Sequence, residues 1–195
     1  MKSDIVNADE ALKRLTEGNK RYGVGKFIRP HQTSVRRAEL IEGQHPFAIV
    51  LGCSDSRIPV ELVFDQGVGD IFVVRNAGNI ADDVSLASIE YAAAHLHVPL
   101  VVVLGHGSCG AVTATASGGD LEGHLPAIAS AIRPAVEKVK DQQGELVNNA
   151  ARANAVMVAE KLKTSKPVLS DLVKSGKLTV AAAFYDIKSG KVEFI

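Results

Sequence analysis

LVVVLGHGSCG, residues 100–110, carries the reading of the fold. Five consecutive apolar residues, three of them valine, run into Gly105. A continuous apolar run of this length, with no polar alternation, is a strand buried on both faces, which is the habit of parallel sheets covered by helices. FAIVLGCSDSR at 47–57 has the same grammar: an apolar run, a glycine, then a polar loop. IFVVR (71–75) and LTVAAAFY (178–185) complete a set of four such runs. Between them lie helical stretches. PVELVFD (59–65) opens on Pro59, and 84–96 places Leu86, Ile89, Ala93 and Leu96 on one face. Two long stretches follow at about 124–140 and 145–164, and a short one from Pro167 is closed by Gly176. Strands alternating with helices predict a three-layer α/β domain spanning 1–195, with about four parallel strands flanked by helices. Ile187-Lys188-Ser189-Gly190 reads as a hairpin turn into KVEFI (191–195), an antiparallel C-terminal edge strand.

Outside this pattern stands an N-terminal helical arm at about 7–23. Asn7, three residues before Glu10, predicts a variant capping box, and Leu12, Leu15 and Tyr22 follow at helical spacing before Gly23 and Gly25. Its few apolar positions predict that it packs on a neighbouring subunit. The whole chain has 195 residues with 22 basic and 22 acidic side chains, so it offers no cationic footprint for nucleic acid or anionic lipid. The longest apolar stretches, Phe47–Cys53 and Val98–Leu104, fall far short of the roughly 20 residues of a membrane span. The opening MKSDIVNADEALKRL lacks the apolar core of a secretion signal, which predicts a cytoplasmic protein with reduced thiols. Two cysteines cannot make a disulfide scaffold.

Both cysteines sit just past the ends of apolar runs. Ligands of parallel α/β sheets bind outside the carboxyl ends of the strands. If the runs at 47–52 and 100–105 are neighbours, Cys53, Asp55, His106 and Cys109 converge there. Two thiolates and one imidazole suit zinc, and three protein ligands leave its fourth position open, as in catalytic sites. Asp55 is the fourth candidate ligand, able to close the site or to stand beside it.

Other readings of these residues compete. GHGSCG (105–110) matches the G-x-G-x-x-G of dinucleotide-binding loops, but ATASGGDLEGHLPAIAS follows it, without the next strand and its terminal acidic residue. The cysteines could be paired with each other or simply buried. Asp55 could be a turn former and Arg57 a surface charge. His31, His45, His95, His97 and His124 lie in neither strand-end loop and read as structural.

CSDSR (53–57), VVRNAGN (73–79) and GHGSCG (105–110) together resemble a β-class carbonic anhydrase, a similarity that runs from about Gln44 to the C-terminal YDIKSGKVEFI. The resemblance implies one zinc per chain held by Cys53, His106 and Cys109, with Asp55 and Arg57 as a dyad beside it, and an obligate homodimer or dimer of dimers. It implies reversible hydration of carbon dioxide to bicarbonate through zinc-bound hydroxide. One subdivision of the family has a glutamine nine residues before the first cysteine and a phenylalanine before VVRN. Gln44 and Phe72 match, as donor and apolar wall for the substrate, and in related enzymes these residues reach the neighbour's zinc. The tyrosine of that subdivision falls at Asp82 here. Val50 stands where the other, bicarbonate-gated subdivision has tryptophan. Two thiolates on the metal predict an alkaline activity profile. Two alternatives stay open: a related zinc hydrolase acting on carbonyl sulfide or carbon disulfide, and a non-catalytic zinc module that Asp55 keeps closed.

Overall fold

The computed structural model describes residues 6–195. In chain order the elements are α1 (Ala8–Gly23), α2 (Ser34–Glu39), β1 (Ala48–Cys53), α3 (Val60–Val63), β2 (Ile71–Asn76), α4 (Asp83–Ala94), β3 (Leu100–His106), α5 (Gly110–Ser117), α6 (Leu125–Val139), α7 (Leu146–Thr164), α8 (Val168–Lys174), β4 (Thr179–Asp186) and β5 (Lys191–Phe194). The sheet order is β2-β1-β3-β4-β5. The first four strands are parallel and β5 runs antiparallel to β4, as the apolar runs and the hairpin turn predict.

Period-two alternation divides the core in two. Ile49, Leu51, Val101, Val103, Val180 and Ala182 face α4, α7 and α8. Ala48, Val50, Leu100, Val102, Leu104 and Ala183 face α1 and α3. Every residue of β1 and β3 is buried, which is why both read as unbroken apolar runs. The chain passes from β1 to β2 on one side and returns to place β3 on the other. Such a reversal opens a crevice at the carboxyl ends of the two diverging strands, here β1 and β3.

Two elements depart from expectation. The helix after Pro59 spans only Val60–Val63 rather than continuing to Asp65. Asp65 takes a left-handed backbone (φ 46°) and turns its carboxylate to the N–H groups of Ile28 and Arg29 and to Arg21 Nε. The second is helix α1, which has a seat within its own chain: Ala11 and Leu15 are wholly buried in the chain's own core. Gly18 rides so close to the Phe64 carbonyl that a Cβ would stand 1.7 Å from its oxygen. Asn19 then donates to the carbonyls of Val63 and Gly190 and accepts from Val192 N–H. The Asn7 cap forms as expected, its side chain accepting from Glu10 N–H at 2.9 Å. Among the described residues no helix is long and apolar enough to cross a membrane.

Candidate metal centre

The site lies at the reversal point. Cys53 is the last residue of β1, His106 the last of β3, and Cys109 the N-cap of α5. Register places Gly52 beside Leu104, so the two strands end together. The candidate ligand atoms of Cys53, His106 and Cys109 all lie within 4.8 Å of one another, and all three residues are buried. Ligands at 2.0–2.3 Å from one tetrahedral ion stand about 3.3–3.8 Å apart, so the group needs only a small contraction to grip zinc.

The imidazole is oriented for it. His106 Nδ1 donates to the Gly107 carbonyl at 2.9 Å, which leaves Nε2 with its lone pair free. That Nε2 is fully buried and has no hydrogen-bond partner among the described residues. A buried nitrogen lone pair left orphaned beside two thiols is a cost unless a cation occupies the space between them. The thiols agree. The Cys109 hydrogen bond pulls the Cys53 thiol down, helped by the N–H groups of Gly78 and Asp55 and opposed by burial. Cys109 is pushed up by that same contact and by burial. Binding a cation between them would release the thiol protons, the usual coupling of metal binding to proton release. Both cysteines are free, so the pairing alternative is not adopted. His31, His45, His95, His97 and His124 lie outside the cluster.

Asp55 and Arg57 form a two-point pair beside it. Arg57 Nε and its backbone N–H donate to Asp55 Oδ1 at 2.9 and 3.0 Å, and Nη2 donates to Oδ2 at 2.7 Å. This guanidinium holds the Asp55 carboxyl down at about 2. Arg57 Nη2 also reaches the Ser108 carbonyl, tying the first strand-end loop to the second. Asp55, the fourth candidate ligand, does not join the group of mutually close ligand atoms; both its oxygens are held by Arg57. Gln44 and Phe72 are not brought to this cluster within one chain. Gln44 is exposed ahead of β1, and Phe72 is the second residue of β2, paired with Ile49 at the far end of the strand from Cys53. Four residue steps along the strand separate that register from Cys53, about 13 Å. Phe72 is half-buried, its ring 6.3 Å from that of Tyr91. Asp82 serves as the N-cap of α4, accepting from Ser85 N–H.

Sequence reasoning missed the supports. Arg75 donates from Nε to the Cys53 carbonyl and from Nη2 to the Asp55 carbonyl, both at 2.8 Å, clamping the first loop. Asn148 Oδ1 accepts from Ser108 N–H, and Gly78 N–H reaches Cys53 Sγ. Arg75 and Gly78 lie inside the VVRNAGN stretch, so a signal was present. Asn148, in a helix 40 residues beyond the loop it holds, had none.

A crevice at a strand reversal, lined by Cys53 and His106 on strand ends and by Cys109 at a helix cap, defines a class of α/β proteins with a group that could hold a metal ion. Residues 48–192 match the family model described as carbonic anhydrase. The chain is 38% identical over 192 residues to the carbonic anhydrase of Mycolicibacterium smegmatis, covering 96% of this chain and 93% of that one. It is 37% identical to carbonic anhydrase 2 of Mycobacterium tuberculosis, covering 95% and 92%. Among solved structures, the β-carbonic anhydrase CcaA superposes with a TM-score of 0.74 at 29% identity, covering 94% of this chain and 98% of that one. A chain from the two tetrameric β-carbonic anhydrases of Sordaria macrospora superposes equally well, at 28% identity and with 96% and 97% covered. The chain belongs to the β class of the carbonic anhydrase family and is an enzyme of that kind.

Proposed function

We propose that the enzyme interconverts carbon dioxide and bicarbonate at one zinc ion held by Cys53, His106 and Cys109. The orphaned, fully buried His106 Nε2 beside two thiols carries this reading. When bound, zinc supplies a Lewis acid that makes water nucleophilic near neutrality. The residues around it do the rest. Asp55, ionised and acceptor-only, takes a hydrogen bond from the nucleophile and turns its lone pair towards carbon. Arg57 keeps that carboxylate from falling onto the metal by occupying both its oxygens. An amide donor and an apolar wall come from Gln44 and Phe72 of the partner subunit, since in one chain these residues stand at the far end of the sheet from Cys53.

The surface around β2 supports that pairing. This edge strand has a free side, and Leu62, Val68 and Ile71 line one cleft at its start, with Leu62 and Val68 about half exposed. A homodimer or dimer of dimers would cover them. Free thiols suit the reducing cytoplasm. The test is carbon dioxide hydration rate against pH, with zinc measured on the same sample. Near-stoichiometric zinc and a rate rising into alkaline pH are expected. Stoichiometric zinc without hydration between about pH 7 and 9 would overturn the catalytic reading and leave a closed zinc module.

A further inference from the structure

Cys53 Sγ accepts two backbone N–H groups, from Asp55 at 3.4 Å and from Gly78 at 3.3 Å. The first is local. The second comes from the turn after β2, in a left-handed conformation that favours glycine: φ is +79°, and a Cβ would stand 2.5 Å from Ile132 Cδ1. The carbonyl of that same residue accepts Asn154 Nδ2 at 2.9 Å. Asn154 lies on α7, fully buried, and its own Oδ1 has no partner among the described residues. The rest of that buried face is apolar: Ala150, Ala151, Ala155, Val158, Ala159 and Leu162. An amide buried there with one orphaned acceptor is a cost to stability, and what it holds in return is the Gly78 peptide. The helix that carries it is set hard against the strand of His106. At Gly105 a Cβ would stand 2.8 Å from the Ala151 carbonyl oxygen, so α7 lies directly on β3.

We propose that Asn154 is a positioning residue of the metal centre. Through the Gly78 peptide it aims an N–H at Cys53 Sγ and so limits the electron density this thiolate gives to the ion. The inference rests on the zinc reading above and refines it. Two thiolates cancel the charge of a divalent cation. A hydrogen bond donated to one of them withdraws density from sulfur and leaves the metal more electrophilic, as outer contacts generally tune bound metals.

The experiment uses the cobalt(II)-loaded protein, in which the sulfur-to-cobalt charge-transfer band reports thiolate donation directly. Asn154→Leu and Asn154→Ala remove the donor, and Val158→Ala, on the same helix and core-facing, controls for lost packing. Both Asn154 variants are expected to fold and to show the band at longer wavelength. Val158→Ala should lose stability but keep the band. A folded Asn154 variant with the wild-type band overturns the proposal, as does an equal shift in Val158→Ala. The wild-type protein gives an arm free of folding questions: loaded with cadmium-113, it should show scalar coupling between the metal and the Gly78 amide proton. Absence of that coupling overturns the proposal even if neither variant folds. A wild-type protein that binds no cobalt overturns the zinc reading and this inference together, whereas binding with unmoved variants overturns this inference alone.

Discussion

Asp55 and Arg57 show how little chain is needed to set a carboxylate's behaviour. Two residues apart, they meet through three hydrogen bonds, one from the backbone. Asp55 therefore titrates at about 2, below the ordinary carboxylate value of about 3.9. A depressed folded-state value means the pair's contribution is full above about 3.9 and is lost as pH falls through about 2. The Asp55 carboxyl carbon followed by NMR should show that low midpoint, and Arg57→Ala should move it up towards the ordinary value. The same substitution should leave zinc in place while lowering hydration near neutrality by about tenfold or more, because the freed carboxylate turns to the metal. Hydration at the wild-type rate and profile would return Arg57 to the role of a surface charge. Cys109→Ser tests the ligand set itself. A hydroxyl is a poor substitute for a thiolate, so zinc content should fall well below one per chain by metal analysis. Full occupancy would remove Cys109 from the site.

Helix α1 shows a different economy. Its outward positions are charged, and only Ala11, Leu15, Gly18 and Asn19 are buried. Leu15 is fully enclosed among Phe64, Val50 and their neighbours, so Leu15→Ala should cost about 2–5 kcal/mol in denaturant unfolding. The cost should not depend on protein concentration, since the contact lies within one chain. A loss that appears only on dilution would place this helix on a neighbour after all. Asn19 makes three backbone hydrogen bonds, tying α1 to the end of α3 and to the β4–β5 hairpin. No hydrophobic periodicity marks such a residue. Gly18 likewise reads as a weak point in a helix until the Phe64 carbonyl is seen against it.

For the whole molecule, the sheet order decides where chemistry can occur. The reversal between β1 and β3 collects Cys53, His106 and Cys109 at the carboxyl end of the sheet, while Gln44 and the start of β2 lie at the opposite end. If Gln44 and Phe72 serve the substrate, they serve it in a second copy. Specific activity measured through a dilution series should therefore fall as a dimer dissociates, with light scattering giving the mass at each point. A monomer with undiminished activity would exclude a shared site.

The fold and the grouping of the candidate ligands were legible because they rest on local signals. Apolar runs without alternation identify buried parallel strands, and polar loops at their ends identify where ligands gather. Cys53, His106 and Cys109 could be named before any coordinates, since each lies within four residues of a strand run. Tertiary structure decided what surrounds them. Asn154 reaches Gly78 across 76 residues, and Asn19 reaches Val192 across 173. Contacts of that span depend on the handedness and closeness of helix-on-sheet packing. A single polar or small side chain in a helix carries no period from which its distant partner could be read.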